Sequence, residues 1–491
     1  IMGGKYMKKH NTVKVVLITL LVIMLLTWLL PAAYYQTSYV DQGRVQMGLF
    51  DLFSYPTTAL SYFGYIALFI LVVGGFYGVL NKIPAYRTLL DDMAKTFKKK
   101  GKLVVSIIMV LLAVITSICG LQLGLIMFFP FLIALILLMG YDKLVAALTV
   151  VGSTMIGIAG TTFAYANTST LISTLSIKVS SNMLVKVIIL VIGLGLLIFN
   201  TIKHINKVES ESKAKKKKST KTTKSDSSVE SVFEAKVEDF VPAKVSKSKA
   251  KTWPLITVLS IIFVIMILAF ISWTGAFSNT AFDTATKAVK EFKIFGFALF
   301  GKLLGNVNAF GSWTLAELMA TMIIFAGLLM IIYKVKFEDG FQAFITGAKR
   351  ALEPAVLVIL IYTCLVAVTY HPFQLVIYKA ILGITKGFNV FTAAITAILA
   401  SVFNADPLYA FQSVVPYLTS IVKDNSVYST IAVVYQAMYG VTMLVAPTSV
   451  VLMAALSYLG ISYKEWFKNV WKLLVELLVV MLIIFTILIL V

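Results

Sequence analysis

Long apolar runs dominate this chain, set off by short clusters of lysine. Leu103–Tyr141, Leu144–Ile177, Thr252–Phe282 and Asn425–Tyr463 contain no Asp, Glu, Lys or Arg. Each can supply at least one membrane span of roughly 20 residues. Plain spans are predicted at Val13–Leu30, Leu60–Leu80, Leu184–Phe199, Pro254–Trp273, Ala316–Tyr333, Pro354–Tyr370 and Trp471–Val491. The first is longer than a secretory signal core and more spans follow it, so it reads as an uncleaved helix. Gly74, Gly75 and Gly78 leave the second span open to close helix contact. Amphipathic patterning puts surface helices at Asn81–Lys102 and Phe282–Phe310.

Other runs are interrupted. Leu103–Tyr141 would extend about 58 Å as one straight helix, nearly twice the hydrocarbon thickness. Basic residues flank both of its ends, so it enters and leaves on one side, with its bend at Cys119–Gly124. A re-entrant hairpin or two short full spans both satisfy this pattern, and Asn389–Val422 behaves alike, with its bend at Asn404-Ala-Asp-Pro407. Gly157–Thr170 and Ala446-Pro-Thr-Ser449 interrupt two further spans with small polar residues and a proline. Irregular backbone does not survive against lipid, so such breaks pack in protein or line a wet cavity.

Residues 201–252 are lysine-rich, Ser/Thr-rich and poor in bulky apolar side chains, and so are expected to form a disordered, solvated linker. It divides the chain into residues 1–200, a first set of four spans plus the hairpin 103–141, and residues 253–491, an extra span followed by a second set with the hairpin 389–422 and the broken helix 426–459. The two hairpin bends, Leu121 and Ala405, and the two breaks, Phe163 and Pro447, are each separated by the same number of residues. The single extra span starts the second set from the opposite face, which makes an inverted repeat of the kind many secondary transporters use.

Composition agrees. Only 13% of the 491 residues are charged and 59% are hydrophobic, where a soluble domain carries about 25% charge. The mean hydropathy is +0.92. The net charge of +21 rests on 40 Lys and three Arg gathered between spans. That is unlike the aromatic-interleaved arginine of a nucleic-acid reader, so no nucleic-acid partner is expected. In the topology above, 33 of the 43 basic residues share one side with the N-terminus and residues 201–252. The positive-inside rule makes that side the cytoplasm. Two cysteines in separate apolar runs carry no redox information.

The chemistry is that of binding. No HExxH, GxSxG or paired CxxC is present, and Gly296–Lys302 has Walker-A spacing but Leu303 where Ser or Thr is required. The chain is therefore not expected to be an enzyme. Half-helix N-termini suit carboxylates. Asn167, Thr168 and Ser169, with Thr161 and Thr162 before them, and Pro447, Thr448 and Ser449 would each open such a half-helix. Local bonds to the helix backbone are the plainer role for these hydroxyls. Asp406 is a carboxylate at membrane depth, which marks a coupling ion, a proton or a cationic substrate group, and equally an ideal N-cap before Pro407. Asn404, Gln412 and Ser413 beside it, and Gln122 and Cys119 on the opposing hairpin, are further substrate-binding candidates. Glu317, Glu353 and Glu476 lie near span ends, where capping or snorkelling is expected.

Gly74-Gly-Phe-Tyr-Gly-Val-Leu-Asn-Lys82, Gly140-Tyr-Asp142, Gly160-Thr-Thr-Phe163, Gly347-Ala-Lys349, Ala446–Ala454 and Gly460-Ile-Ser-Tyr-Lys-Glu-Trp466 occur in an order that resembles the YfcC/DcuC-like anaerobic dicarboxylate and basic amino acid carriers of the ion-transporter superfamily. The resemblance implies paired re-entrant hairpins, a homodimer, and a transport unit moving against a scaffold. Leu123-Gly124 stands where the family pattern has an acidic pair, and Asn404–Leu408 where it has a Ser/Gly-rich turn, so substrate does not carry over.

The expected protein is all-α and polytopic, an inverted repeat with two re-entrant hairpins and two broken transmembrane helices, in a bacterial cytoplasmic membrane. The expected function is secondary transport of a small carboxylate-bearing metabolite, a dicarboxylate or an amino acid, by exchange or by Na+ or H+ coupling and without a cofactor. A passive channel, or a membrane scaffold acting through the basic linker, is the alternative.

Overall fold

The computed structural model describes residues 11–219, 233–243, 250–385 and 387–490. Its helices follow one order twice. The first set runs Asn11–Leu29, Asp51–Lys82, the surface helix Pro84–Lys98, a hairpin of Gly101–Cys119 and Gly124–Leu138, a broken helix of Lys143–Ala159 and Tyr165–Leu175, and Met183–Ser219. The second runs Leu315–Ile332, Leu352–Tyr370, Gln374–Leu382, a hairpin of Val390–Phe403 and Pro407–Ile421, a broken helix of Tyr428–Met443 and Val450–Leu459, and Tyr463–Leu490, with one added helix, Phe337–Arg350, between its first two spans. Trp253–Phe270 lies between the sets. Eight described helices are long and apolar enough to cross a membrane, one of them the hairpin arm Gly101–Cys119.

The first hairpin begins and ends on one side. Tyr141, beyond the returning arm of the first, packs its hydroxyl against Gly101 at the start of the outgoing one, so the chain leaves where it entered. The outgoing arm stops at Gly120, whose φ of +70° closes the helix with a bond to Thr116 O at 2.9 Å. That left-handed turn is the conformation glycine adopts without strain.

One group of helices is locked by missing side chains. A β-carbon on Gly78 would strike the Ala343 carbonyl, and one on Gly347 the Gly74 carbonyl. Asp51–Lys82 and the amphipathic helix Phe337–Arg350 therefore meet backbone to backbone, the contact small residues allow where lipid supplies no hydrophobic drive.

At the rim away from the linker, the strands Ala32–Tyr35 and Tyr39–Gly43 form a hairpin that the apolar pattern had not predicted. Ala33 N donates to Pro372 O at 2.9 Å. The buried ring of His371 bonds Val45 O at 2.8 Å and Tyr55 Oη at 2.7 Å, joining the two sets there.

Three expectations shift. The segment Phe282–Phe310 holds two short helices, Ala281–Glu291 and Leu299–Leu304. The span expected at Leu184–Phe199 continues as helix to Ser219, because Lys102 Nζ meets Asn206 Oδ1 at 2.7 Å and Glu209 Oε2 at 2.9 Å, and Asp142 pairs with His204 at 2.7 Å. Of the stretch expected as a disordered linker, residues 233–243 also lie against the helices, while 220–232 and 244–249 fall outside the described residues. The first broken helix carries a π turn, Leu148–Gly152, within Lys143–Ala159.

Candidate functional site

Each hairpin tip closes on the break of its own broken helix. In the first set, Ser117 Oγ donates to Gly160 O at 2.7 Å and lies 3.0 Å from Thr162 Oγ1. Thr162 N returns a bond to Ser117 O at 2.9 Å. Asn167 Nδ2 reaches the Gly120 carbonyl at the tip, 3.1 Å away. The second half-helix opens at Tyr165 with Ala164 at its cap, earlier than the expected start at Asn167. The Asn167 amide is drawn to the hairpin tip, so it does not cap.

In the second set, Thr448 Oγ1 donates to Val402 O at 2.7 Å. Asp406 Oδ1 accepts from Leu408 N at 2.8 Å and Pro407 takes the first turn, so the N-cap role expected from sequence is present. Ser449 caps Val450–Leu459, accepting from Leu452 N at 3.4 Å. The carbonyls left free by this break are held by the motif that follows it: Trp466 Nε1 donates to Leu444 O at 2.8 Å, and Tyr463 Oη to Val445 O. An unpaired carbonyl at this depth would cost several kcal/mol.

The two junctions meet. Gly440 of Tyr428–Met443 lies directly on the Ala159 backbone, where a β-carbon would come within 2.7 Å of Met155 O. One turn away, Gln436 Nε2 donates to Ile158 O at 2.9 Å and to Thr161 Oγ1 at 3.2 Å. Gln436 is 3% exposed and its Oε1 has no protein partner. The Tyr439 hydroxyl donates to Ala405 O at the second tip, 3.0 Å away, with Gln122 of the first tip beside it. Tyr439 thus touches both tips. Asp406 also lies within electrostatic range of Tyr439, Tyr362 and Tyr65.

The sequence-predicted residues divide accordingly. Gln122, Thr161, Thr162, Asn167, Asp406, Pro447, Thr448 and Ser449 sit at the tips and breaks. Asn404, Thr168, Ser169 and Ser413 bond their own helices, to Ala400 O, Ala164 O, Ala166 O and Ala410 O. Cys119 is buried, and Gln412 is exposed on the outer arm. Gln436, Tyr439 and Ser117 were missed. Gln436, Tyr439 and Gly440 share one helix face by their spacing of three and four, which was the available signal. Glu317 caps as expected, in a capping box with Thr314. Among the described residues, no cluster of His, Cys, Asp and Glu could hold a metal.

Residues 10–491 match the family described as DcuC, C4-dicarboxylate anaerobic carrier. The chain belongs to that family. It is a family of carriers rather than enzymes, and this protein is a multi-pass membrane carrier of it. No curated protein matches the chain. Among solved structures, the YdaH transporter of Alcanivorax borkumensis, described as having an unusual topology, is similar at a TM-score of 0.40 and 13% identity, over 97% of this chain and 98% of that one.

Proposed function

We propose that this carrier moves a small carboxylate-bearing metabolite, a C4-dicarboxylate or an amino acid, across a bacterial cytoplasmic membrane by exchange or by Na+ or H+ coupling. The observation that carries this reading is the bond from Gln436 to Ile158 and Thr161, which ties the two broken helices at the level of both hairpin tips. Partial positive charge at the starts of Tyr165–Leu175 and Val450–Leu459 suits a carboxylate, with Thr162, Asn167, Thr448 and Ser449 around it. Asp406 and Gln122 would orient the remainder of the substrate or the coupling ion.

Two hairpins, two broken helices and their crossing form one unit, which would slide against the glycine-locked helices and expose its site to each face in turn. The homodimer would hold those locked helices still. The clustering of basic residues supports a cytoplasmic N-terminus and cytoplasmic residues 201–252.

The test is uptake by proteoliposomes of radiolabelled succinate, and of arginine against internal ornithine, under imposed Na+ or H+ gradients. Accumulation above the outside concentration is expected for one class. Equilibration without accumulation or counterflow would replace the carrier mechanism with a passive pore.

A further inference from the structure

On the linker side, ten residues of the chain lie across the ends of three distant elements. Lys143 N donates to Phe233 O at 3.1 Å. Arg87 Nη1 donates to Pro242 O at 2.7 Å, while its Nε pairs with Asp91 at 2.9 Å. Phe240 meets Tyr458 edge to face, with centroids 5.7 Å apart, and the Lys143 ammonium lies 5.9 Å from the Phe240 centroid. Phe233 and Val241 are 8% and 7% exposed, so the segment is bound through its apolar residues. Between those anchors it carries Glu234, Glu238 and Asp239, whereas the sequence on both sides of it is rich in lysine.

One of its contacts borders a seam. Tyr458 also borders an apolar cavity of about 50 Å³ that separates Ile70 and Val73 of Asp51–Lys82 from Phe129 and Ile133 of the first hairpin. Arg87 follows Asp51–Lys82 almost directly, through Ile83, whereas Tyr458 ends the second broken helix. One short segment therefore joins Tyr458 of the second broken helix to Arg87, which lies just beyond the end of Asp51–Lys82.

We propose that Arg87, Lys143 and Tyr458 form a docking surface for a short acidic segment with aromatic anchors, occupied here by the chain's own Phe233–Pro242, and that its occupancy slows transport. The inference rests on the carrier reading above. Sliding changes the distance from Arg87 to Tyr458, and the docked residues resist it until they let go.

The test uses full-length protein in proteoliposomes. Phe240→Ala should raise the initial rate of succinate or arginine counterflow about fivefold, the order of effect that loss of one aromatic pair gives. A peptide spanning residues 233–242, added on the linker side, should return the rate to the wild-type value. A second readout needs no substrate: Ala454→Cys, beside the same cavity, should react with an impermeant maleimide several-fold faster when combined with Phe240→Ala, while buried Cys119 and Cys364 stay silent. Unchanged counterflow in a protein that does transport, or unchanged labelling, overturns the proposal. A wild-type protein that moves neither probe overturns the substrate classes proposed above instead, and labelling then decides whether the segment docks.

Discussion

Gln436 donates to Ile158 O at 2.9 Å across a sequence separation of 278 residues, so the two halves of the chain are joined by one amide at the crossing of their broken helices. Replacing it with Met keeps the volume and removes the bond. Ile158 O and Thr161 Oγ1 would lose one donor but keep their bond to each other, at a cost of about 0.5–1.5 kcal/mol. Gln436→Met should unfold at lower temperature in detergent and lose most counterflow, whereas Gln436→Glu, which keeps an acceptor but reverses the local charge balance, should alter substrate affinity more than maximal rate. Wild-type melting and flux in both variants would remove Gln436 from the site.

Gly440 is the contact point of the same crossing. A methyl there meets the Ala159 backbone, which cannot rotate away. Gly440→Ala should cost about 1–3 kcal/mol as overpacking, read as a fall in the detergent melting temperature. Gly195, whose β-carbon would meet nothing within 4 Å, is the control, and Gly195→Ala should leave melting unchanged or slightly raised.

Asp406 caps Pro407–Ile421, and in the proposed site its charge would also act on the substrate or ion. Asn caps a helix about as well as Asp, so Asp406→Asn should keep the fold while removing the charge. The expected result is wild-type melting with at least tenfold weaker substrate or ion affinity, a loss of about 1.4 kcal/mol. Asp406→Ala should lose both, with about 1 kcal/mol of stability gone from the missing cap. Full affinity in Asp406→Asn would leave capping as its only work.

Thr448 and Ser117 do equivalent jobs from opposite partners. In one set the hairpin arm supplies the hydroxyl, and in the other the break does. Thr448→Val removes a buried donor from Val402 O and should loosen the second tip selectively. Hydrogen exchange should rise at residues 402–406 and remain as in wild type at 117–122.

The architecture was legible because its punctuation is loud in oil. A proline, an aspartate or a cluster of threonines inside a run of valine and leucine has few uses, and the even spacing of Leu121, Ala405, Phe163 and Pro447 marked both tips and both breaks. Helix ends bear this out: Cys119 pairs with Phe403, and Leu175 with Leu459. The site was legible only where polarity was unusual. Gln436 and Tyr439 lie in an otherwise ordinary helix, and which surface they face depends on a crossing that no local pattern encodes. The strands after Leu29 and the docking of Phe233–Pro242 escaped for the same reason, since each is held by residues far away in sequence. Asn404 and Ser413 failed in the other direction, their polarity spent on their own helix backbones.

The π turn at Leu148–Gly152 gives the two sets slightly different lengths. Lys143–Ala159 is one residue longer than Tyr428–Met443, yet both arrive at their breaks in matching positions. A wide turn of this kind absorbs a surplus residue locally, and such turns often lie near functional sites. The two halves therefore differ in local winding, with a wide turn inside the first broken helix and a 3₁₀ turn, Asn425–Val427, leading into the second. In a carrier that alternates between faces, halves built differently would leave the two facing states unequal in energy, and so unequally occupied.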